Sequence, residues 1–382
     1  MPELADCTIL LVDDVKANIT LLVEALKGEY KLGFALDGAG ALKFAREREP
    51  DLILLDVMMA GMDGYEVCRR LQADPQTRAI PVIFLTALDQ TANKAAGFEA
   101  GAVDYVTKPF EMAEVRARVR THLELKLARQ SLQQRYDQVQ YALGLAKEVQ
   151  QNLIPGRDPR VAGLDIAGRI IYCDETGGDY YDYLEQETPD RLGIVVGDVS
   201  EHGIPSALLM TSARAFLRQR AAMPGSPADI VSDVNKLFSR DVGDSGRFMT
   251  LFYCCLDRSA NRLSWVRAGH DPALLFDSRE GIFRDLAGPG LPLGVDADCC
   301  YQERSCSLKA GDVLILGTDG LWETANRRKE LFGKKRFRNL LARLAHLSAD
   351  EIADGVFRAV EEFRQPAALE DDVTLVVVKI VD

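Results

Sequence analysis

Thr8-Ile9-Leu10-Leu11-Val12-Asp13-Asp14 places a strand-length apolar run directly ahead of two carboxylates. The pattern recurs along the next hundred residues. Asp51-Leu52-Ile53-Leu54-Leu55 runs into Asp56, Pro81-Val82-Ile83-Phe84-Leu85 runs into Thr86, and Ala102-Val103-Asp104-Tyr105-Val106 precedes Lys108. A weaker run lies near Leu32-Gly33-Phe34-Ala35, and amphipathic stretches separate them all. Runs this uniformly apolar belong to a parallel sheet covered on both faces, so the expected class is a doubly wound, five-stranded α/β domain. Such sheets carry their sites at the carboxyl edge, which gathers Asp13, Asp14 and Asp56. Three acids held together repel one another, and Mg²⁺ with carboxylate and water ligands resolves the repulsion. Thr86 and Lys108 add a hydroxyl and a cation for phosphoryl oxygens, and Lys108-Pro109 suits a cis bond.

On these residues, the segment from 8 to about 122 resembles a CheY-like response-regulator receiver domain. The resemblance implies that Asp56 is the phosphoacceptor. It also implies that Asp14, Asp56 and the Met58 carbonyl bind Mg²⁺, with Asp13 supporting through water. Thr86 and Lys108 would bind the phosphoryl group, Tyr105 would be the aromatic switch, and a separate sensor histidine kinase would supply the phosphate.

From about Glu111 to Leu153 there is no proline and a single glycine, Gly144. Leu125, Leu132, Val139, Ala146 and Leu153 recur at intervals of seven, with Tyr136 and Leu143 offset by four, while Arg129 and Gln150 interrupt that second stripe. This reads as a long linker helix with an imperfect coiled-coil seam. It has two readings, a homodimer stalk that transmits a signal or a helix packed on its own domain. Ile154-Pro155-Gly156 ends it, because proline disfavours helix continuation. The expected division is a receiver over 1–122, a helical linker over 123–155 and a second domain over 156–382.

Beyond about Val161 the pattern becomes β-rich, with candidate strands at Leu192–Val196, Phe248–Leu256, Arg262–Arg267, Ala273–Phe276, Val313–Gly317 and Val373–Ile380. Helical periodicity covers Ser206–Ala221 and Ala228–Phe238. Strand runs mixed with grouped helices predict an α+β sandwich. Four acidic motifs stand beside glycines or strand ends: Gly177-Gly178-Asp179-Tyr180-Tyr181-Asp182, Gly197-Asp198-Val199-Ser200-Glu201-His202-Gly203, Gly317-Thr318-Asp319-Gly320 and Glu370-Asp371-Asp372-Val373-Thr374. Carboxylates on separate strand ends, without cysteine or clustered histidine, suit Mg²⁺ or Mn²⁺ better than zinc. Two such ions roughly 3.5–4 Å apart bind a bridging hydroxide and clamp a phosphate for in-line attack.

Residues from about 145 to 381 resemble the bacterial SpoIIE/RsbU-type serine/threonine phosphatases, a branch of the metal-dependent type 2C superfamily. The approach helix Ala146 to Pro155 and the Arg267-Ala268-Gly269-His270 turn belong to the match. The resemblance implies that Asp198 bridges two Mn²⁺ or Mg²⁺ ions beside the Val199 carbonyl. Asp179, Asp319 and Asp371 would complete the set directly or through water, with Asp372, Glu201, His202 and His270 around it. The implied substrate is a phosphoserine or phosphothreonine on an anti-sigma-factor antagonist. Two residues depart from the family pattern. Glu201 stands where glycine is usual and either strengthens metal binding or hinders an anionic substrate, and Arg267 stands where asparagine is frequent. His202 and His270 read either as acids or ligands or as structural hydrogen bonders.

A net charge of −12 argues against nonspecific nucleic-acid binding. Arg327-Arg328-Lys329 with Lys334-Lys335-Arg336 is a local basic patch or a solvated helix start. No apolar run reaches the roughly 18–20 residues that span a bilayer, and the first residues lack a secretory signal, so the expected compartment is the cytoplasm, with no membrane partner. The eight cysteines show no C-x-x-C spacing and read as reduced core residues. None is followed six positions later by arginine, which removes the phosphate-binding loop of cysteine-nucleophile phosphatases. Two other functions compete. Gly177-Gly178-Asp179-Tyr180-Tyr181 superficially resembles a diguanylate-cyclase turn but lacks its Glu-Phe. The alternative is a phosphorylation-controlled adaptor whose inactive phosphatase-like domain binds a sigma factor or its regulator; retention of Asp179, Asp198, Asp319 and Asp371 favours the enzyme.

Overall fold

In the computed structural model, which describes residues 4–87, 99–186 and 190–381, the chain divides into two units, Met1–Val139 and Gln140–Asp382. The first is built on β1 (Thr8–Val12), β2 (Lys31–Ala35), β3 (Leu52–Asp56), β4 (Val82–Ala87) and β5 (Asp104–Lys108), in the order β2-β1-β3-β4-β5. Every pairing is parallel. Strand side chains alternate between faces, and both faces here are apolar. Leu10, Val12, Ile53, Leu55, Val82 and Phe84 enter one core with the helices Gly38–Arg48 and Gly64–Ala73. Ile9, Leu11, Leu52, Leu54, Ile83 and Leu85 enter the other, with the helix Lys16–Leu26 and the start of the helix Met112–Gln151. Two-sided burial is the physical reason that these strands read as unbroken apolar runs.

The 40-residue helix Met112–Gln151 is held at its start by Val115, Val119 and Leu123, all fully buried. Arg118 and His122 pair with Asp104 at 2.7 and 3.0 Å, and Lys126 pairs with Asp51 at 2.8 Å. Farther along, Leu125, Leu132, Tyr136 and Val139 are exposed. Gln150 departs from its appearance as a mere interruption of the seam, because it is buried. Its amide hydrogen-bonds both ways with Gly177, donating to the carbonyl at 2.7 Å and accepting from the N–H at 3.1 Å. A buried amide needs partners on both ends, and the backbone of Gly177 supplies both.

The second unit carries two antiparallel five-stranded sheets. One comprises β7 (Asp179–Glu185), β8 (Arg191–Val199), β9 (Met249–Asp257), β10 (Arg262–Ala268) and β13 (Arg304–Ser307), ordered β13-β10-β9-β8-β7. The other comprises β6 (Leu164–Ile171), β11 (Ala273–Asp277), β12 (Ile282–Leu286), β14 (Val313–Gly317) and β15 (Val373–Ile380), ordered β12-β11-β14-β15-β6. Period-two alternation assigns the faces. Leu314, Leu316, Val376 and Val378 point into the core shared with the first of these sheets, together with Val196 and Phe252. Val313, Ile315, Leu375 and Val377 point the other way, onto the helices Lys334–Leu344 and Ala349–Arg364. The helices Ile204–Ala221 and Pro227–Val242 pack Met210, Leu217, Val234 and Phe238 against the first sheet. The result is a four-layer α/β/β/α sandwich. No disulfide joins any of the eight cysteines, but not all of them are core residues: Cys300 is exposed, and Cys173, Cys299 and Cys306 are half-buried.

Candidate functional sites

Each receiver residue stands where a strand ends. Asp13 and Asp14 follow β1, Asp56 closes β3, Thr86 is half-buried at the penultimate position of β4, and Lys108 closes β5. Carboxylate oxygens of Asp13, Asp14 and Asp56 lie within 4.8 Å of one another. Lys108 holds the group together, with Nζ 2.8 Å from Asp13 and 2.9 Å from Asp56. Asp13, fully buried, also accepts from the Val15 N–H at 2.9 Å and from Asn18 Nδ2 at 2.9 Å. Asp14 accepts from the Ala60 N–H at 3.0 Å. Met58 is exposed, and its N–H approaches Asp56 at 3.4 Å. Burial raises the Asp56 carboxyl above its usual range while Lys108 pulls it down. Tyr105 is half-buried, with the Arg118 guanidinium 5.8 Å from its ring centre. The Lys108-Pro109 bond is cis.

The four candidate acids of the second unit come from four strand ends. Asp179 opens β7 and lies opposite Asp198 of β8 in register. Asp319 stands two residues beyond β14, and Asp371 two residues ahead of β15. Glycine permits the close approach: a Cβ on Gly178 would meet the Val199 carbonyl oxygen at 2.5 Å, and one on Gly320 would overlap the Asp372 carbonyl. Asp179 is buried, and one of its oxygens accepts from Thr318 Oγ1 at 2.7 Å and Thr374 Oγ1 at 2.6 Å. These two threonines lie inside the acidic motifs, yet their role was invisible in the sequence because they act across 139 and 195 residues. Asp372 is buried and accepts from the N–H groups of Cys173, Gly178 and Asp179 at 2.9, 2.9 and 3.2 Å. It therefore orients the loop ahead of Asp179.

Electrostatically the four acids form one field. Burial and then the charges of Asp319, Asp371 and Asp372 push the Asp198 carboxyl up to about 8. Burial, Asp198 and Asp372 hold Asp179 well above the usual carboxylate range. Asp319 and Asp371 are raised too, chiefly by burial. Among the described residues, however, no three of these acids bring their oxygens within 4.8 Å of one another as the receiver acids do. An all-oxygen donor set with unbalanced negative charge matches the chemistry of hard divalent cations, so the residues present fit Mg²⁺ or Mn²⁺.

The remaining candidates separate clearly. His270 is buried, and its pKa is lowered to about 4 by desolvation. Its Nε2 faces the Gly317 carbonyl at 3.2 Å, so Nε2 carries the proton and Nδ1 accepts from Thr250 at 2.7 Å. Both nitrogens are thereby occupied by structural bonds. Glu201 has φ +66°, a left-handed conformation that favours glycine, and Arg247 pairs with its carboxylate at 2.9 Å. Its charge is thus partly compensated. Arg267 donates to the carbonyls of His270 and Gly288 and pins that turn. Asp182 is a buried partner of Arg218 and Tyr180. His202, exposed, pairs with Asp174 at 2.6 Å. In the basic patch, Lys329 pairs with Glu370, Lys334 pairs with Asp271, and Arg336 stacks over Phe363.

Residues 9–120 match the response regulator receiver domain, and residues 188–381 match the family described as Stage II sporulation protein E (SpoIIE). The chain belongs to the SpoIIE family. It joins a receiver to an RsbU-like, PP2C-like domain. This SpoIIE member is 26% identical to the phosphoserine phosphatase RsbU of Bacillus subtilis over 250 residues, covering 65% of the chain and 73% of RsbU. It is 43% identical to the response regulator PleD of Caulobacter vibrioides over 168 residues, covering 44% of the chain but only 35% of PleD. In fold it is similar to the SiaA PP2C domain of Pseudomonas aeruginosa, with a TM-score of 0.56 at 24% identity over 64% of this chain and 98% of that one. Among the described residues, no helix is long and apolar enough to cross a membrane.

Proposed function

We propose that this chain is a response regulator whose output is metal-dependent dephosphorylation of phosphoserine or phosphothreonine on a protein, controlled by phosphorylation of Asp56. The observation that carries the reading is the uncompensated acid set. Asp179 and Asp198 face each other in register, and the charges that act most on Asp198 are those of Asp319, Asp371 and Asp372, all negative. Asp198, the Val199 carbonyl, Asp179, Asp319 and Asp371 would hold two Mn²⁺ or Mg²⁺ ions. Bound there, such ions supply a water-derived nucleophile at neutral pH and offset phosphate charge. The chain's own residues position the donors: Thr318 and Thr374 fix one oxygen of Asp179, and Asp372 fixes the backbone on either side of Gly178.

In the receiver, Asp13, Asp14, Asp56 and the Met58 carbonyl would hold Mg²⁺, while Thr86 and Lys108 take the phosphoryl oxygens and Tyr105 responds. A separate sensor histidine kinase supplies the phosphate. The route to the output is the helix Met112–Gln151, with the receiver taken as 1–122, the linker as 123–155 and the phosphatase as 156–382. Arg118, His122 and Lys126 hold its first half to receiver acids. Gln150 holds its last turn to Gly177, two residues from Asp179. The exposed Leu125, Leu132 and Val139 stripe supports homodimerisation through the linker. The substrate is a phosphorylated anti-sigma-factor antagonist in the cytoplasm, a reading supported by similarity to a phosphoserine phosphatase.

The test is phosphate release from a phosphoserine-bearing antagonist with Mn²⁺ or Mg²⁺, comparing wild type and Asp198→Ala, with and without beryllofluoride at Asp56. Release that needs metal and Asp198, and that changes with beryllofluoride, is the expected result. Equal silence of both proteins in every condition, together with capture of a sigma factor, would instead establish the adaptor.

A further inference from the structure

Cys173 and Asp174 follow β6, whereas His202 lies beyond β8. No motif spacing connects them. The fold nevertheless brings a thiol sulfur, a carboxylate oxygen and an imidazole nitrogen within 4.8 Å of one another. Both loops are anchored. The Cys173 N–H donates to Asp372 at 2.9 Å, and Ser206 Oγ donates to the Ser200 carbonyl at 3.0 Å. A backbone bond from the Val199 N–H, at the end of β8, to the Gly178 carbonyl, 3.3 Å long, ties the base of the second loop to the first. Left-handed backbone at Glu201 (φ +66°) and Gly203 (φ +82°) turns the chain sharply on both sides of His202. Cys173 is half-buried, while the Asp174 and His202 side chains are 52% and 60% exposed, so an ion can reach the cluster from solvent.

A sulfur, nitrogen and oxygen donor set is softer than the all-oxygen set of Asp179, Asp198, Asp319 and Asp371. It matches Zn²⁺, which takes cysteine, histidine and carboxylate ligands, often three from the protein with a fourth position left to water. We infer that Cys173, Asp174 and His202 form a Zn²⁺ site at the rim of the phosphatase acid cluster, separate from the Mg²⁺ or Mn²⁺ positions. On binding, the Cys173 S–H bond breaks, its proton leaves to solvent, and the thiolate ligates the ion without any change of oxidation state. The free thiol is held up to about 12 by burial and by Asp372, so the proton departs with metal entry, as coordination to a divalent cation enforces.

The experiment is Co²⁺ titration of the full chain in excess Mg²⁺, followed by the thiolate-to-cobalt absorption band, with Zn²⁺ as competitor. Wild type is expected to show a band that saturates at one equivalent and is erased by Zn²⁺. Cys173→Ser removes the band, and His202→Ala weakens the affinity by at least roughly tenfold, the lower bound for groups that merely support a ligand. No band in wild type, or an equal band in Cys173→Ser, overturns the site. Since the readout needs no turnover, it separates failure of this site from failure of the phosphatase reading. Folding of each variant is checked by circular dichroism.

Discussion

The two carboxylate sites solve one electrostatic problem in opposite ways. In the receiver, Lys108 sits 2.8 and 2.9 Å from Asp13 and Asp56, and three acids crowd within 4.8 Å. In the PP2C-like unit the influences that follow burial at Asp198 are three further carboxylates, and the acid is pushed up to about 8. An internal cation lets the first cluster close by itself. The second has no cation among the charges that act most on Asp198, so it would need protons or bound cations to offset its own charge.

The largest expected effect comes from removing an acid of the second cluster. Asp198→Ala should lower phosphate release on the order of 10³-fold, the scale of losing one preorganised electrostatic contact, while beryllofluoride still binds the receiver; retained turnover would break the contrast. In the receiver, Lys108→Met leaves Asp13 and Asp56 buried without their partner, and metal-free urea unfolding should show a loss of about 3–5 kcal/mol, partly restored by Mg²⁺. Both tryptophans, Trp265 and Trp322, lie in the second unit. Their fluorescence should therefore leave this loss unseen, while receiver circular dichroism reports it.

Acid should weaken the second unit through His270. Its folded pKa of about 4 lies below the ordinary 6.5, so the stability that depends on neutral imidazole is full above pH 6.5 and disappears as pH falls through 4. The contribution is on the order of 3 kcal/mol, and tryptophan-monitored unfolding of His270→Gln should lose that part of the pH slope. The smallest effect is expected at Gln150→Leu, which leaves the N–H and carbonyl of Gly177 unpaired at a cost of about 1–3 kcal/mol. Its sharper signature is functional. Beryllofluoride should no longer change phosphate release, whereas an unaltered response would remove Gln150 from the route between the sites.

Legibility followed locality. Asp13, Asp14, Asp56 and Thr86 could be singled out because each adjoins a strand that announces itself by a two-sided apolar run, from Leu10 to Leu85, whereas Lys108 closes a strand in which Val106 alone is fully buried. Asp198 and Asp319 could be singled out as candidates because glycines flank them where backbones must touch. Nothing local marks Thr318 and Thr374 as partners of Asp179, Gln150 as the partner of Gly177, or Arg247 as the partner of Glu201.

By itself, then, the sequence determined the two fold classes and the long helix and singled out the candidate acids, since periodicity and strand-end placement are properties of neighbouring residues. Tertiary structure decided which groups compensate which charges. Lys108 reaches Asp13 across 95 residues, Thr374 reaches Asp179 across 195, and Cys173 meets His202 across two loops. Coulomb and hydrogen-bond energies depend on distance in space, which strand order and register set and which sequence separation does not reveal.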